Sequence, residues 1–476
     1  MPSEYHDDGD TEADQHDSLL TSTEEDADVH SKVLYVIILS AALDLVPPST
    51  PKGIVAFCNI APALVAKVGW PYFLKGRIRY AKRLLGCTTL SIAGMIVVAG
   101  FNSLAMRLLG ISLASFSSGL GELTFLQLST RYHPPSVAGH SVGYFASGTG
   151  AAGLVGAFLW WELRGLGVRF GVGLSSVSPG SSHIQPLRIL TSAHQVLPLI
   201  IPLIYFLHLP RSTAFSPVAF PASYDDPLIG APPTTSYTPL PTSEDEAGEN
   251  GETESIPVIL KHSALSSADK WRLAKPLLAK YMLPLFCVYL FEYTINQGVA
   301  PTLLYPVPSP DDYPFISGII HSVRDYYPLW QLVYQTTVFF SRSSISLGIP
   351  PIPARLLSLP AIIQACILIV LAYESAVGFF PDSSEGINIV MVFLLISLEG
   401  ICGGLAYVNV FYRVNQEPHR PGMDPERAKQ EKEFNIGSIG LSDSLGILAA
   451  SLIAVPTEIE LCKAQVNRGK TLCRGL

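Results

Sequence analysis

Hydrophobic and polar positions along this chain come in long blocks and do not alternate with a short period. Several apolar blocks carry a single carboxylate deep inside. Leu104–Leu128 holds Glu122, Leu277–Gly298 holds Glu292, and Asn388–Val410 holds Glu399. Blocks of roughly 20 residues match what an α-helix needs to cross a bilayer. Lipid satisfies no backbone group, so helices are the spanning element that fits this pattern. A carboxylate at mid-bilayer costs about 2.5–3.5 kcal/mol, whereas each Leu or Ile returns only about 0.3–0.6 kcal/mol. One such acid cancels several leucines, so each is expected to face a cavity or a partner and not lipid.

The pattern predicts an all-α polytopic membrane protein with about eleven spans in two bundles. The first bundle, 33–209, holds Val33–Val46, Gly53–Phe73, Leu84–Ser103, Leu104–Leu128, Ser141–Leu163 and Ala193–Leu209. The second, 276–456, holds Leu277–Gly298, Asp325–Leu347, Arg355–Tyr373, Asn388–Tyr412 and Phe434–Val455. Between them, 210–275 is rich in Pro, Ser, Thr and acids (TSEDEAGENGETES) and reads as a disordered linker. Residues 1–32 read as an acidic disordered tail and 457–476 as a basic tail.

Loop charge sets the expected orientation. Lys75, Arg77, Arg79, Lys82 and Arg83 follow the second span, and Arg413, Arg420, Arg427, Lys429 and Lys432 follow the tenth. Together with Lys261, Lys270, Arg272 and Lys275 at the linker edge, these loops share one parity. The positive-inside rule puts them in the cytosol, with the amino terminus and the linker. Two features strain this scheme. The first span has only about fourteen apolar residues, short for a crossing. Eleven spans also leave the basic tail (Lys463, Arg468, Lys470, Arg474) on the far side.

Composition agrees with a membrane chain. Of 476 residues, 48% are hydrophobic and 15% charged, against about 25% charged in ordinary soluble proteins. The net charge of −8 is uneven, because the first 30 residues hold eleven Asp or Glu and no Lys or Arg. That opening lacks the apolar core and basic flank of a signal peptide. The seven cysteines show no metal spacing, and most lie in apolar segments, where a thiol acts as a small hydrophobe. No metal, cofactor or nucleic acid is expected, and no Asn-x-Ser/Thr acceptor for N-glycosylation occurs.

Small residues cluster at Ser147–Gly156 and at Gly400-Ile-Cys-Gly-Gly404. Their spacing suits close helix packing, or helices that slide or unwind at a solute site. The embedded acids Glu122, Glu292, Glu399 and Asp443 are the candidates for proton coupling. An apolar setting disfavours the charged carboxylate, so such a group can hold a proton near neutral pH. The bland alternative is an acid satisfied by neighbouring hydroxyls that locks two helices together. Arg342 reads either as a snorkelling anchor or as a bidentate clamp for a carboxylate or phosphate. Asn296, Gln297, Gln331, Tyr334, Gln335, Tyr407 and Asn409 are candidate solute contacts, with core packing as the alternative for each.

Enzyme classes find little support. Gly440-Leu-Ser-Asp443 lacks the second glycine of an intramembrane aspartyl protease, and no His-Glu-x-x-His occurs. Gly469-Lys-Thr471 has no upstream glycine to open a phosphate loop. Asp225-Asp-Pro-Leu228-Ile229 resembles an acidic dileucine signal for cytosolic sorting adaptors, and Cys473-Arg-Gly-Leu476 loosely resembles a prenylation box.

The segments FEYTINQG (291–298), LWQLVYQTTVFFSRSSISLGIPP (329–351), LEGICGGLAYVNVFYR (398–413), SDSLGILAASLIAVP (442–456) and ASGTGAAGLVGAFLW (146–160) resemble the battenin family of lysosomal and vacuolar membrane proteins. The likeness runs from about residue 33 to the carboxyl terminus apart from the linker, and is to a fungal vacuolar member. One departure is an acidic tail that joins at Ser31-Lys32, where relatives carry a further apolar stretch, so the first helix reads as shortened. The resemblance implies a major-facilitator-like fold of two bundles around a cavity, residence in the vacuole membrane, and roles in vacuolar pH balance and the movement of basic amino acids. Animal members are associated with export of glycerophosphodiesters. Lipid, a small solute and protons are the implied partners. The rival expectation is a non-transporting scaffold that regulates trafficking or a proton pump.

Overall fold

The computed structural model describes residues 52–69, 79–101, 103–129, 135–165, 206, 265–311, 313–379, 385–417 and 425–475. All regular structure among them is helical. The expected spans Val33–Val46 and Ala193–Leu209 lie outside the described residues, Phe206 excepted, as do the acidic tail and Asp225, Leu228 and Ile229.

The first half comprises α1 (Lys52–Val68), α2 (Tyr80–Gly100), α3 (Leu104–Ser129) and α4 (Pro135–Gly165). The second half comprises α5 (Ser267–Leu277), α6 (Leu283–Thr294), the short α7 (Pro314–Ser317), α8 (Tyr326–Arg342), α9 (Leu359–Ala376), α10 (Glu385–Asn415) and α11 (Pro425–Asn467). Among the described residues six segments are long and apolar enough to cross a bilayer, including Ser267–Thr302, which joins α5 to α6. Ile362, Ile369 and Leu452 are each more than 60% exposed. In water such side chains would cost stability, but on a spanning helix they meet lipid chains.

Two π-helical turns interrupt the Ser267–Thr302 segment, at Leu278–Met282 and Ile295–Val299. Each stands just before a proline, Pro284 or Pro301, whose missing N–H and bulky ring disturb the preceding turn. The second widened turn carries Asn296 and Gln297 directly after Glu292, so the helix is irregular where its polar side chains gather.

α8 is the element around which the halves meet. The small residues of α4 and α10 seat against it on both sides, so the expectation of close packing describes what they do here. A Cβ on Gly150 would lie 2.9 Å from the Phe339 Cα. Any larger residue there would push α4 away from α8, since backbone cannot yield as a side chain does. Gly400 and Gly404 of α10 likewise leave room for Thr337 and Ser341 of α8. One core cluster crosses the boundary between halves, bringing Ile60, Phe125 and Phe145 together with Leu285, Phe411 and Ile439.

The two ends of the bundle are held by different contacts. At one end Arg427 pairs with Asp269 at 3.0 Å, Lys280 pairs with Glu417 at 2.6 Å, and Arg413 Nε donates to the Ile352 carbonyl at 2.7 Å. At the other, Tyr305 donates to Glu374 at 2.8 Å, and Gln465 Nε2 reaches the Thr302 carbonyl at 2.7 Å and Ser375 Oγ at 2.9 Å. These contacts correct the expected 457–476 tail. Pro456 does not end the last helix, which runs on to Asn467, and Cys473 forms a disulfide with Cys462. A sulfur held in that bond is not free to carry a prenyl group. The helical start at Ser267 also shortens the expected linker, with Ser266 capping α5 by accepting from the Asp269 N–H at 3.1 Å.

Candidate functional site

A cavity of about 90 Å³ lies between the halves. One water needs at least roughly 10–15 Å³ of such space, so the cavity has room for several. Its wall takes Lys67 from α1, Ser118 and Glu122 from α3, and Thr149 from α4. Facing them are Tyr289 from α6, Tyr334, Gln335 and Arg342 from α8, Tyr407 from α10 and Asp443 from α11.

Lys67 is the hub. Its Nζ lies 3.1 Å from Glu122 Oε2 and 3.2 Å from Asp443 Oδ1. All three side chains are buried, and the Asp443 pair crosses between halves. Asp443 also accepts from the Ser444 hydroxyl at 3.0 Å, and Glu122 accepts from Tyr407 OH at 3.2 Å. Arg342 is held differently. Its Nη1 donates to Thr149 Oγ1 at 2.6 Å and its Nη2 to Tyr289 OH at 3.1 Å, while the guanidinium carbon lies 4.4 Å from the Tyr407 ring centre. That is cation–π distance. Its Nε has no acceptor, and among the described residues no carboxylate lies within ion-pair distance of it.

Glu292 and Glu399 belong to a second polar cluster behind Tyr334, sealed among α6, α8, α9 and α10. Tyr334 OH donates to Glu292 Oε1. Gln364 Nε2 donates to Glu292 Oε2 and to the Glu399 carbonyl, both at 3.1 Å. Asn296 Nδ2 donates to Glu399 Oε1 at 2.9 Å, and Gln331 Nε2 donates to Asn296 Oδ1 at 2.9 Å. A Cβ on Gly403 would occupy the place of the Glu292 carboxylate. Neither acid lines the cavity, and neither has a cation within ion-pair distance among the described residues.

The expected residues thus divide. Glu122, Asp443, Arg342, Tyr334, Gln335 and Tyr407 line the cavity, whereas Glu292, Glu399, Asn296 and Gln331 form the sealed cluster. Gln297 is buried with both amide atoms unpartnered and does not line the cavity. Asn409 is elsewhere, its Oδ1 accepting from the Ile352 N–H at 2.7 Å, so it holds a loop end and not a solute site. Sequence reasoning missed Lys67, Thr149, Tyr289 and Gln364. Of these only Lys67 is charged, and its place near the end of an apolar block reads as an interfacial lysine.

The model of the family described as CLN3 protein matches residues 29–464. Protein BTN1 of Mycosarcoma maydis is 46% identical, covering 93% of this chain and 86% of its own length. Protein BTN1 of Cryptococcus neoformans var. neoformans is 44% identical, covering 94% and 93%. Among solved structures, the human organic anion transporter MFSD10 superposes with a TM-score of 0.56 at 11% identity, over 96% of this chain and 97% of that one. The Escherichia coli fucose:proton symporter FucP gives 0.52 at 13%, over 95% and 98%. The likeness to those two structures shows the major-facilitator fold expected from the sequence. The matched span and the BTN1 relatives place this multi-pass membrane chain in the CLN3, or battenin, family.

Proposed function

We propose that this protein is a secondary transporter of the vacuole membrane, that its solute is an anion of the glycerophosphodiester class in preference to a basic amino acid, and that it contributes to vacuolar pH balance. The observation that carries this reading is Arg342, a cavity-lining guanidinium with an unpartnered Nε and no carboxylate at ion-pair distance among the described residues. A planar fork of N–H donors suits a phosphate or carboxylate, and the two cavity carboxylates are already engaged by Lys67, so the guanidinium is the charge left open to a solute. The fold is shared with a protein named for organic anion transport and with one named as a proton symporter. In this reading solute passage goes with rocking of the two halves about the Lys67–Asp443 and Arg342–Thr149 contacts.

The end with Lys280, Arg413 and Arg427 faces the cytosol in this reading, together with the amino terminus and the linker. The end with Glu374 and the Cys462–Cys473 disulfide then faces the lumen, where disulfides persist.

The test is uptake into proteoliposomes of purified full-length chain, with labelled glycerophosphoglycerol and labelled arginine compared under an imposed pH gradient. Glycerophosphoglycerol uptake without arginine uptake is expected, and uptake of neither favours the scaffold. Glu399→Gln serves as an internal control. Its amide oxygen still accepts from Asn296, and Glu399 lies outside the cavity. The variant should therefore keep the wild-type pH profile; a flattened profile would return Glu399 to the coupling machinery.

A further inference from the structure

Among the described residues four charged side chains line the cavity, two positive (Lys67, Arg342) and two negative (Glu122, Asp443), so these four balance. The balance is unequally arranged. Two carboxylates share one ammonium, at 3.1 and 3.2 Å, while the guanidinium has only hydroxyl and ring partners. An anion that docks on Arg342 uses up the charge that offsets the second carboxylate. The enclosed site then carries one excess negative charge, and an uncompensated buried charge is strongly destabilising. One proton on either carboxyl restores the balance and removes one of the two ties on Lys67.

We propose that Lys67, Glu122 and Asp443 form a proton-for-anion switch, in which the Glu122–Asp443 pair takes up one proton for each anion bound at Arg342 and Lys67 is released toward the cavity as a second anion contact. This rests on the reading of the cavity as a solute site. The proton goes from solvent to a carboxylate oxygen, and no other bond is made or broken. Among the described residues the charged and titratable groups around the pair are Lys67 on α1, Arg342 and Tyr334 on α8, Tyr289 and Tyr293 on α6, and Tyr407 on α10. Among these, the ammonium, the guanidinium and the phenols already carry their protons, so the two carboxylates are the groups with an open place for one. Tyr407 joins the two parts of the site, since its ring lies against Arg342 and its hydroxyl donates to Glu122. Loading at one part is therefore felt directly at the other.

The experiment is calorimetric titration of detergent-purified full-length chain with glycerophosphoglycerol, at pH 5.5 and 7.5, in buffers of different ionisation enthalpy. About one proton taken up per anion is expected at the higher pH, with affinity rising up to about tenfold per pH unit lowered, the limit for one linked proton. Zero proton uptake with equal affinity at both pH values overturns the switch. Asp443→Asn leaves the remaining pair neutral, so its affinity at pH 7.5 should rise to near the wild-type value at pH 5.5 and its proton uptake should vanish. Glu122→Gln should do the same, and it serves where Asp443→Asn is not monodisperse. A variant that keeps wild-type pH dependence also overturns the switch, and the wild-type proton count requires no variant at all. Binding with proton uptake but no movement into proteoliposomes would sink the transporter reading and leave the switch standing. Uptake into proteoliposomes with no proton bound would do the reverse, and no binding at either pH would end both.

Discussion

Arg342→Met is expected to lower glycerophosphoglycerol uptake by about a hundredfold, the consequence of losing about 2–5 kcal/mol when one partner of a buried charge pair is removed. The loss follows from how Arg342 is held. Thr149 and Tyr289 fix the two terminal nitrogens and the Tyr407 ring lies beside the plane, so the guanidinium is already oriented when the anion arrives. Arg342→Lys keeps the charge and loses the fork, so it should recover only a fraction of the uptake. Initial rates in proteoliposomes, normalised to inserted protein, measure both. Wild-type uptake by Arg342→Met would remove Arg342 from the site.

Lys67→Met is expected to be the most destabilising single change in the cavity. It leaves Glu122 and Asp443 facing each other, buried and without their shared cation. Breaking a buried ion pair from one side costs about 3–5 kcal/mol, whereas replacing the whole group by neutral residues of similar volume is often harmless. The triple variant Lys67→Met, Glu122→Gln, Asp443→Asn should therefore unfold close to the wild-type temperature, while Lys67→Met alone unfolds well below it. Thermal unfolding of the purified proteins in one detergent checks both. A triple variant as weak as the single one would mean that Lys67 acts through packing and not charge.

Much of this architecture was legible along the chain, because bilayer thickness imposes a length that apolar blocks reveal directly. The spans around Glu122, Glu292 and Glu399 match α3, the 267–302 segment and α10 within a few residues, apart from that segment's earlier start. What a linear pattern does not give is rotation about each helix axis. Glu122 and Glu292 look alike in sequence, each a lone acid in an apolar block, yet one faces the cavity and the other faces Tyr334 and Gln364. The π turn at Ile295–Val299 adds to the difficulty by shifting the helical phase just where Asn296 and Gln297 sit. Lys67 was hidden for another reason. It stands near the end of its span and close to Lys75 and Arg77, where a lysine is expected to snorkel to the interface. Only the partners brought by α3 and α11 turn it inward. The pairing of Cys473 with Cys462 depends on how the chain turns after Asn467, which the spacing alone does not disclose.

The division between the two polar clusters has a physical logic. Side-chain amides reach Glu399 Oε1 and Glu292 Oε2 without any cation at ion-pair distance among the described residues, an arrangement that fixes both acids in place. The central cluster instead carries formal charges that compensate one another across the junction of the halves. Charges that hold each other across a moving boundary can be rearranged by a guest ion, which amide lattices cannot.

Ser118→Cys offers the most direct measurement of whether this cavity is where solute passes. Its side chain lines the cavity beside Glu122, and a cavity opened alternately to each face of the membrane must expose it to both. With a membrane-impermeant thiol reagent applied separately to each side of oriented vesicles, and the wild-type chain as the blank, labelling is expected from both sides, with protection by glycerophosphoglycerol from either. Labelling from neither side, or from one side only with no protection by the phosphodiester, would contradict alternating access through this site.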